Sequence, residues 1–280
     1  MRIAVAGGKG GTGKTLFAVC LAEYLASPQT VLMDVDVEEP DAVLFFLKTP
    51  GFKEIVYRPV PLVNEEKCSH CGYCAGICQF NALVILPEEI MFFPELCHSC
   101  RACYYLCPCG AITMGLHPLG EIEEALLANG ARIISGCLRI GEPRSPGLIA
   151  AVKEREKQAS WAIIDCPPGT ACPMMEAIRG CDYCLLITEP TPFGAHDLKL
   201  SLEAAKLLGI PAGVVINRWR GNDRGIDQVA NYAGVPILSR LPLMPELAAS
   251  YSRGENPLLT FPDLRGLMGE IISQIRGEMQ

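Results

Sequence analysis

Short apolar runs alternate with stretches of helical period along most of the chain. Residues 2–6, 30–33, 161–164, 183–188 and 212–217 are apolar almost throughout. Runs of that length without polar alternation predict strands buried on both faces, as in a parallel sheet. Residues 130–136 and 235–238 read as two further strands. Between them, 16–22, 146–158, 195–208 and 263–279 predict helices, with Leu148, Ile149 and Val152 turned inward in the second. The last carries Leu264, Leu267, Met268, Ile271, Ile272 and Ile275 on one face. Strands and helices in this alternation predict an α/β fold, a mainly parallel, doubly wound sheet.

From about 59 to 114 the alternation stops and a unit occurs twice. Cys68-x2-Cys71-x2-Cys74-x3-Cys78 is followed by Cys97-x2-Cys100-x2-Cys103-x3-Cys107, and the tails repeat as Ala82-Leu83 and Ala111-Ile112. The expected organisation is one unit of 1–58 with 115–280 and an insert of 59–114. Zinc sites usually take their ligands as two pairs, which two four-cysteine runs fit poorly. The spacing is that of bacterial two-cluster ferredoxins, in which the fourth cysteine of each run ligates the other cluster. That resemblance implies one [4Fe–4S] cluster on Cys68, Cys71, Cys74 and Cys107, and a second on Cys97, Cys100, Cys103 and Cys78. Gln79 departs from the proline usual after the fourth cysteine. His70 and His98, with no ligand position left for them, read as exposed turn residues.

Composition agrees. Fifteen cysteines in a chain of 280 residues, an odd number with no signal-peptide layout, argue for metal ligation over disulfides. A net charge of −7 argues against a nucleic-acid footprint. Without a long apolar run, a membrane span is not expected and the chain reads as cytoplasmic. Seven cysteines fall outside the two runs, and most read as small buried hydrophobes. Cys181 and Cys184 straddle a strand start and are expected on opposite faces.

The first strand runs into Gly7-Gly8-Lys9-Gly10-Gly11-Thr12-Gly13-Lys14-Thr15, followed by a helix. From Gly8 this fits G-x-x-x-x-G-K-[ST], whose backbone N–H groups cradle phosphates. Lys14 then lies on the β/γ-phosphates of ATP, and the Thr15 hydroxyl takes one position on Mg²⁺. The second strand ends in Asp34-Val35-Asp36, and residues 161–164 end in Asp165-Cys166-Pro167-Pro168-Gly169. Carboxylates at the ends of parallel strands sit where ligands bind.

Lys9 narrows the class. Gly8 to Thr15 resembles the deviant Walker A loop of the MinD/ParA and nitrogenase iron protein superfamily. The Asp34/Asp36 pair and the D-x-P-P-G run also match it. The resemblance implies a MinD-like P-loop ATPase bearing a ferredoxin-like insert, slow in hydrolysis on its own. It assigns Lys9 to a partner subunit's nucleotide, Asp36 to the attacking water, and Asp34 and Asp165 to the Mg²⁺ shell. It gives Gly169 the γ-phosphate and Asn217 the adenine edge. Nucleotide-dependent pairing with an identical or paralogous subunit follows. Relatives use a terminal amphipathic helix on membranes, but the polar face here, with Arg265 and Arg276 against Glu270 and Glu278, lacks lysine, so packing on the sheet is expected. Cys172 follows Asp165 at a spacing like that of the iron protein's subunit-bridging cysteine, which makes it an interface thiol or metal ligand, with Cys137 a loose partner. Three roles fit: assembly or insertion of a metal cluster into a client metalloprotein, ATP-gated electron donation to a redox partner, and a nucleotide-switched, redox-sensing scaffold.

Overall fold

The computed structural model describes residues 1–86, 89–156 and 158–279, with the side chain of Arg224 excepted. Its strands are β1 (Arg2–Ala6), β2 (Thr30–Asp34), β3 (Lys48–Val63), β4 (Leu83–Ile85), β5 (Ile90–Phe92), β6 (Ile112–Leu127), β7 (Arg132–Leu138), β8 (Trp161–Asp165), β9 (Tyr183–Thr188), β10 (Ala212–Trp219) and β11 (Ile237–Pro242). The helices are α1 (Lys14–Tyr24), α2 (Tyr73–Gly76), α3 (Ala102–Tyr105), α4 (Pro146–Glu154), α5 (Cys172–Ile178), α6 (Pro192–Leu207), α7 (Arg224–Ala233), α8 (Pro245–Ser252), α9 (Pro257–Thr260) and α10 (Leu264–Glu278).

Nine strands form one sheet in the order β11-β10-β9-β1-β8-β2-β7-β6-β3. From β11 to β7 all pairings are parallel; β6 and β3 join antiparallel. One face packs against α1, α8, α9 and α10 through Phe17, Leu21, Met268 and Ile271, and the other against α4 to α7 through Leu148, Ile149, Ile178 and Leu198. The terminal helix therefore buries its apolar face, Leu264, Met268, Ile271, Ile272 and Ile275, on the sheet. No described helix is long and apolar enough to cross a membrane.

The buried strands lie where the apolar runs predicted them. The helix expected over 146–158 stops at Glu154, and Lys157 lies outside the described residues. The sequence did not show the ribbon of β3 and β6, 16 residues each, paired from Lys48↔Leu127 to Val63↔Ile112. β3 is the sheet's edge, which is why it tolerates Pro50, Pro59 and Pro61. Pro118 in β6 lies beyond the stretch that pairs with β7, Gly120 to Leu126. The ribbon runs unbroken through the boundaries read at 58/59 and 114/115. At its far end, residues 64–111 carry α2, α3 and the β4–β5 hairpin.

Cys181 and Cys184 do not point to opposite faces. Both are buried in the layer under α4 and α5, with Cys166. Cys181 precedes β9 and is not yet bound by strand alternation.

Candidate functional site

The loop from β1 wraps the N-terminus of α1. Gly13 has φ +101°, and a Cβ there would lie 2.4 Å from Asn217 Nδ2, so only glycine fits. Lys14 opens the helix, is buried, and its Nζ donates to the Lys9 carbonyl at 3.3 Å. Asn217, at the end of β10, donates from Nδ2 to the Thr12 carbonyl at 2.8 Å and accepts from the Arg218 N–H at 2.8 Å. That residue thus stitches β10 to the loop. The Lys9 ammonium lies 3.0 Å from Glu189 Oε2, and Arg218 pairs with the same carboxylate.

A cavity of about 360 Å³ opens on this loop, lined among others by Gly10, Gly11, Gly13, Lys14, Thr15 and Asp36. The pairing of β2 with β8 sets Asp34 opposite Asp165, and both are fully buried. Asp34 accepts from the N–H groups of Ala42 at 3.0 Å and Asp36 at 3.3 Å. Among the described residues, neither oxygen of Asp165 has a hydrogen-bond partner. Burial pushes both carboxyls up; Asp165 adds to the rise at Asp34, while the nearby Thr15 hydroxyl and Lys14 pull Asp165 back down. A buried carboxylate without a partner, beside a second one, is relieved by a divalent cation. Among the described residues no three His, Cys, Asp or Glu converge on a single ion. Mg²⁺ does not need them, because it keeps waters and takes one or two carboxylates beside phosphate oxygens. The donor set fits Mg²⁺ with nucleotide.

Asp36 is half-buried and raised to about 6, first by burial, with Lys14 opposing. Asp41, Glu39 and Tyr251 also line the cavity and were missed. Burial raises the Asp41 carboxyl and the nearby Thr15 hydroxyl lowers it. An aspartate after Pro40 has the composition of a turn, so no local signal set it apart. Gly169 has φ +94°, at the turn that follows β8.

The eight cysteines fall into two groups that cross the runs. Cys68, Cys71, Cys74 and Cys107 line one small cavity, together with Cys109; Cys78, Cys97, Cys100 and Cys103 line another. Backbone geometry repeats with them: φ is positive at His70, Gly72 and Asn81, and at the matching Ser99, Arg101 and Gly110. Such turns aim N–H groups at sulfur: Ala82 donates to Cys78 Sγ at 3.3 Å, Ala111 to Cys107 Sγ at 3.3 Å and Ser99 to Cys97 Sγ at 3.4 Å. Burial pushes the Cys103 thiol up to about 11, and Cys97, Cys100 and Cys74 add to it. Four thiols around one cavity suit a cubane, whose metal atoms spread the sulfurs wider than a single ion does. His98 is exposed but stacks on Phe80 with ring centroids 3.6 Å apart. His70 is half-buried in the first cysteine cavity rather than exposed.

Cys172 is exposed at the start of α5. It lines a cavity of about 710 Å³ with Glu38, Arg58, Ser99, Arg144 and Ser145, between the P-loop unit and the second cysteine loop. Cys137 does not join it. Strand alternation puts Cys137 on the face of Ile133, which packs under α1, whereas α5 packs on the other side.

Residues 3–258 match the family model described as the CobQ/CobB/MinD/ParA nucleotide binding domain. An uncharacterised protein of Methanocaldococcus jannaschii is 31% identical over 279 residues, 98% of this chain and 97% of its own. A cytosolic Fe–S cluster assembly factor of Bos taurus is 25% identical over 143 residues, 43% of this chain and 53% of its own. A polyferredoxin of Methanothermobacter thermautotrophicus is 34% identical over 53 residues, 19% of this chain and 13% of its own. In fold, the chain is similar to the septum site-determining protein MinD of Pyrococcus horikoshii, solved with Mg-ADP, at TM-score 0.58 and 18% identity over 100% of this chain and 98% of that one.

Proposed function

The chain belongs to the CobQ/CobB/MinD/ParA nucleotide-binding family, and from that premise we propose a Mg²⁺-dependent ATPase with two resident [4Fe–4S] clusters. In this reading it couples nucleotide state to the assembly or insertion of a metal cluster into a client protein. Residues 1–58 with 115–280 are the ATPase unit, and 59–114 the ferredoxin-like insert. The observation that carries the reading is the grouping of the cysteines, three from one run and the fourth from the other in each cavity.

Lys14, the N–H groups of residues 10–15 and the helix dipole of α1 bind the phosphates. Thr15, Asp34 and Asp165 would hold Mg²⁺. Asp36 orients the attacking water, Gly169 senses the γ-phosphate, and Asn217 meets the base. Lys9 acts on the nucleotide of an identical or paralogous partner subunit, which requires it to leave Glu189. Resident clusters supply low-potential one-electron chemistry. The chain's part is to hold them on thiolates stabilised by backbone N–H donors, with Cys172 at the subunit interface.

Likeness to the Fe–S cluster assembly factor over part of the chain supports the assembly role. Electron delivery to a partner is the second reading, favoured by the polyferredoxin-like stretch. The test loads the chain with isotopically labelled iron and adds an apo-ferredoxin acceptor with Mg-ATP. ATP-dependent passage of label supports assembly. Label that stays, while in a parallel reaction the chemically prereduced chain passes electrons to an oxidised holo-ferredoxin in step with ATP turnover, overturns assembly in favour of delivery.

A further inference from the structure

Two arginines tie the cysteine-bearing tip to the rest of the chain. Arg58 on β3 is buried at 7% exposure, and all three of its guanidinium nitrogens are engaged. Nε and Nη2 donate to Glu142 Oε2 at 3.1 and 3.0 Å. Nη1 donates to the Cys97 carbonyl at 3.1 Å and to Ser99 Oγ at 3.4 Å, and Nη2 also to the Pro94 carbonyl at 2.8 Å. Arg144 completes the clamp, donating to the carbonyls of Glu95 at 2.7 Å and Pro94 at 3.0 Å and to Glu142 Oε1 at 2.8 Å. Segment 94–99, which carries Cys97, therefore hangs on two guanidinium forks that share one buried carboxylate.

Glu142 and Arg144 belong to the loop after β7, and that loop also grips the nucleotide side. Ser145 Oγ donates to Glu38 Oε1 at 3.1 Å, and the Leu138 N–H donates to the Val37 carbonyl at 2.7 Å. Val37 and Glu38 directly follow Asp36. One short loop thus holds both the segment after the D-x-D pair and the segment bearing a cysteine of the second group. The first group is placed differently. Among the described residues, the hydrogen bonds of 64–74 run to Ala111, Cys109, Gly76, Ile77 and the segment itself.

We infer that Arg58 is a positioning residue: with the 138–145 loop it ties the Cys97 segment to the residues after Asp36, so the second cysteine group responds to nucleotide and the first does not. The inference rests on the cluster reading and gives it a direction. A lysine at position 58 keeps the charge but offers three N–H donors on a single nitrogen where five, directed from three nitrogens, are needed.

Hydrogen exchange on the full anaerobic chain, with and without magnesium and a non-hydrolysable ATP analogue, tests it. Exchange in peptides covering 94–99 is expected to change at least threefold with nucleotide, and in 66–72 not at all. Arg58→Lys and Ser145→Ala are expected to lose that response, with nucleotide affinity within twofold of the parent. Ser145→Ala removes one hydroxyl only and keeps the test readable if Arg58→Lys does not fold. Iron-loaded protein with no response at 94–99, or with equal responses in parent and variants, overturns this inference alone. A chain that takes up no iron yet shows the response overturns the cluster reading and leaves the tie in place.

Discussion

At the scale of single residues, the nucleotide cavity is a problem of crowded carboxylates. Asp34 and Asp165 are neighbours in register and Asp36 follows one of them, raised to about 6 by burial. A carboxyl whose folded pKa lies above its unfolded value near 3.8 binds protons more tightly when folded. Its contribution to stability is present at low pH and is lost as pH rises from about 4 through 6. Without nucleotide and Mg²⁺, Asp36→Asn is therefore expected to melt above the parent at pH 7.5, with the gap about halved at pH 5 and nearly closed by about pH 4. Melting temperatures of the two proteins across that range check it, and a gap that does not vary with pH contradicts it. Lys14, Thr15 and Asp165 were legible because each sits in a local pattern. Glu189, Arg218, Asp41 and Tyr251 were not, because they reach the loop from separate elements and share no spacing with it.

Among elements, the parallel strands were legible because burial on both faces writes itself as an unbroken apolar run. The ribbon of β3 and β6 was not, since its exposed edge mixes prolines, glycines and charges without alternation. The cysteine runs were legible from spacing, and the crossing of their fourth cysteines makes a sharp expectation. Cys107→Ser should remove the cluster built on Cys68, Cys71 and Cys74, leaving about half the iron. An iron assay with electron paramagnetic resonance decides it, and loss of the signal belonging to the Cys97 group instead would reverse the assignment. The terminal helix gives another expectation. Ile271 is fully buried against the sheet, so Ile271→Ala should cost about 2–5 kcal/mol of stability in denaturant titrations. A change below about 0.5 kcal/mol, usual for a surface position, would mean that α10 is not packed as described.

For the molecule as a whole, a sheet with the glycine loop at the end of β1 carries at its far edge a ribbon tipped with the two four-cysteine runs. The P-loop and the cysteine runs could each be read alone; their connection could not. Arg58, Glu142 and Ser145 occur in no motif, and only the fold brings β3, the loop after β7 and the residues after Asp36 together. The central claim is that a nucleotide site and two iron–sulfur clusters are coupled in one chain. Iron quantitation and electron paramagnetic resonance of the reduced, anaerobic protein, with and without Mg-ATP, test it most directly. The account predicts about eight irons per chain, signals from two interacting [4Fe–4S] clusters, and a change on adding Mg-ATP confined to one of them. Fewer than about four irons per chain, or a full complement whose spectrum is the same with and without Mg-ATP, would contradict it.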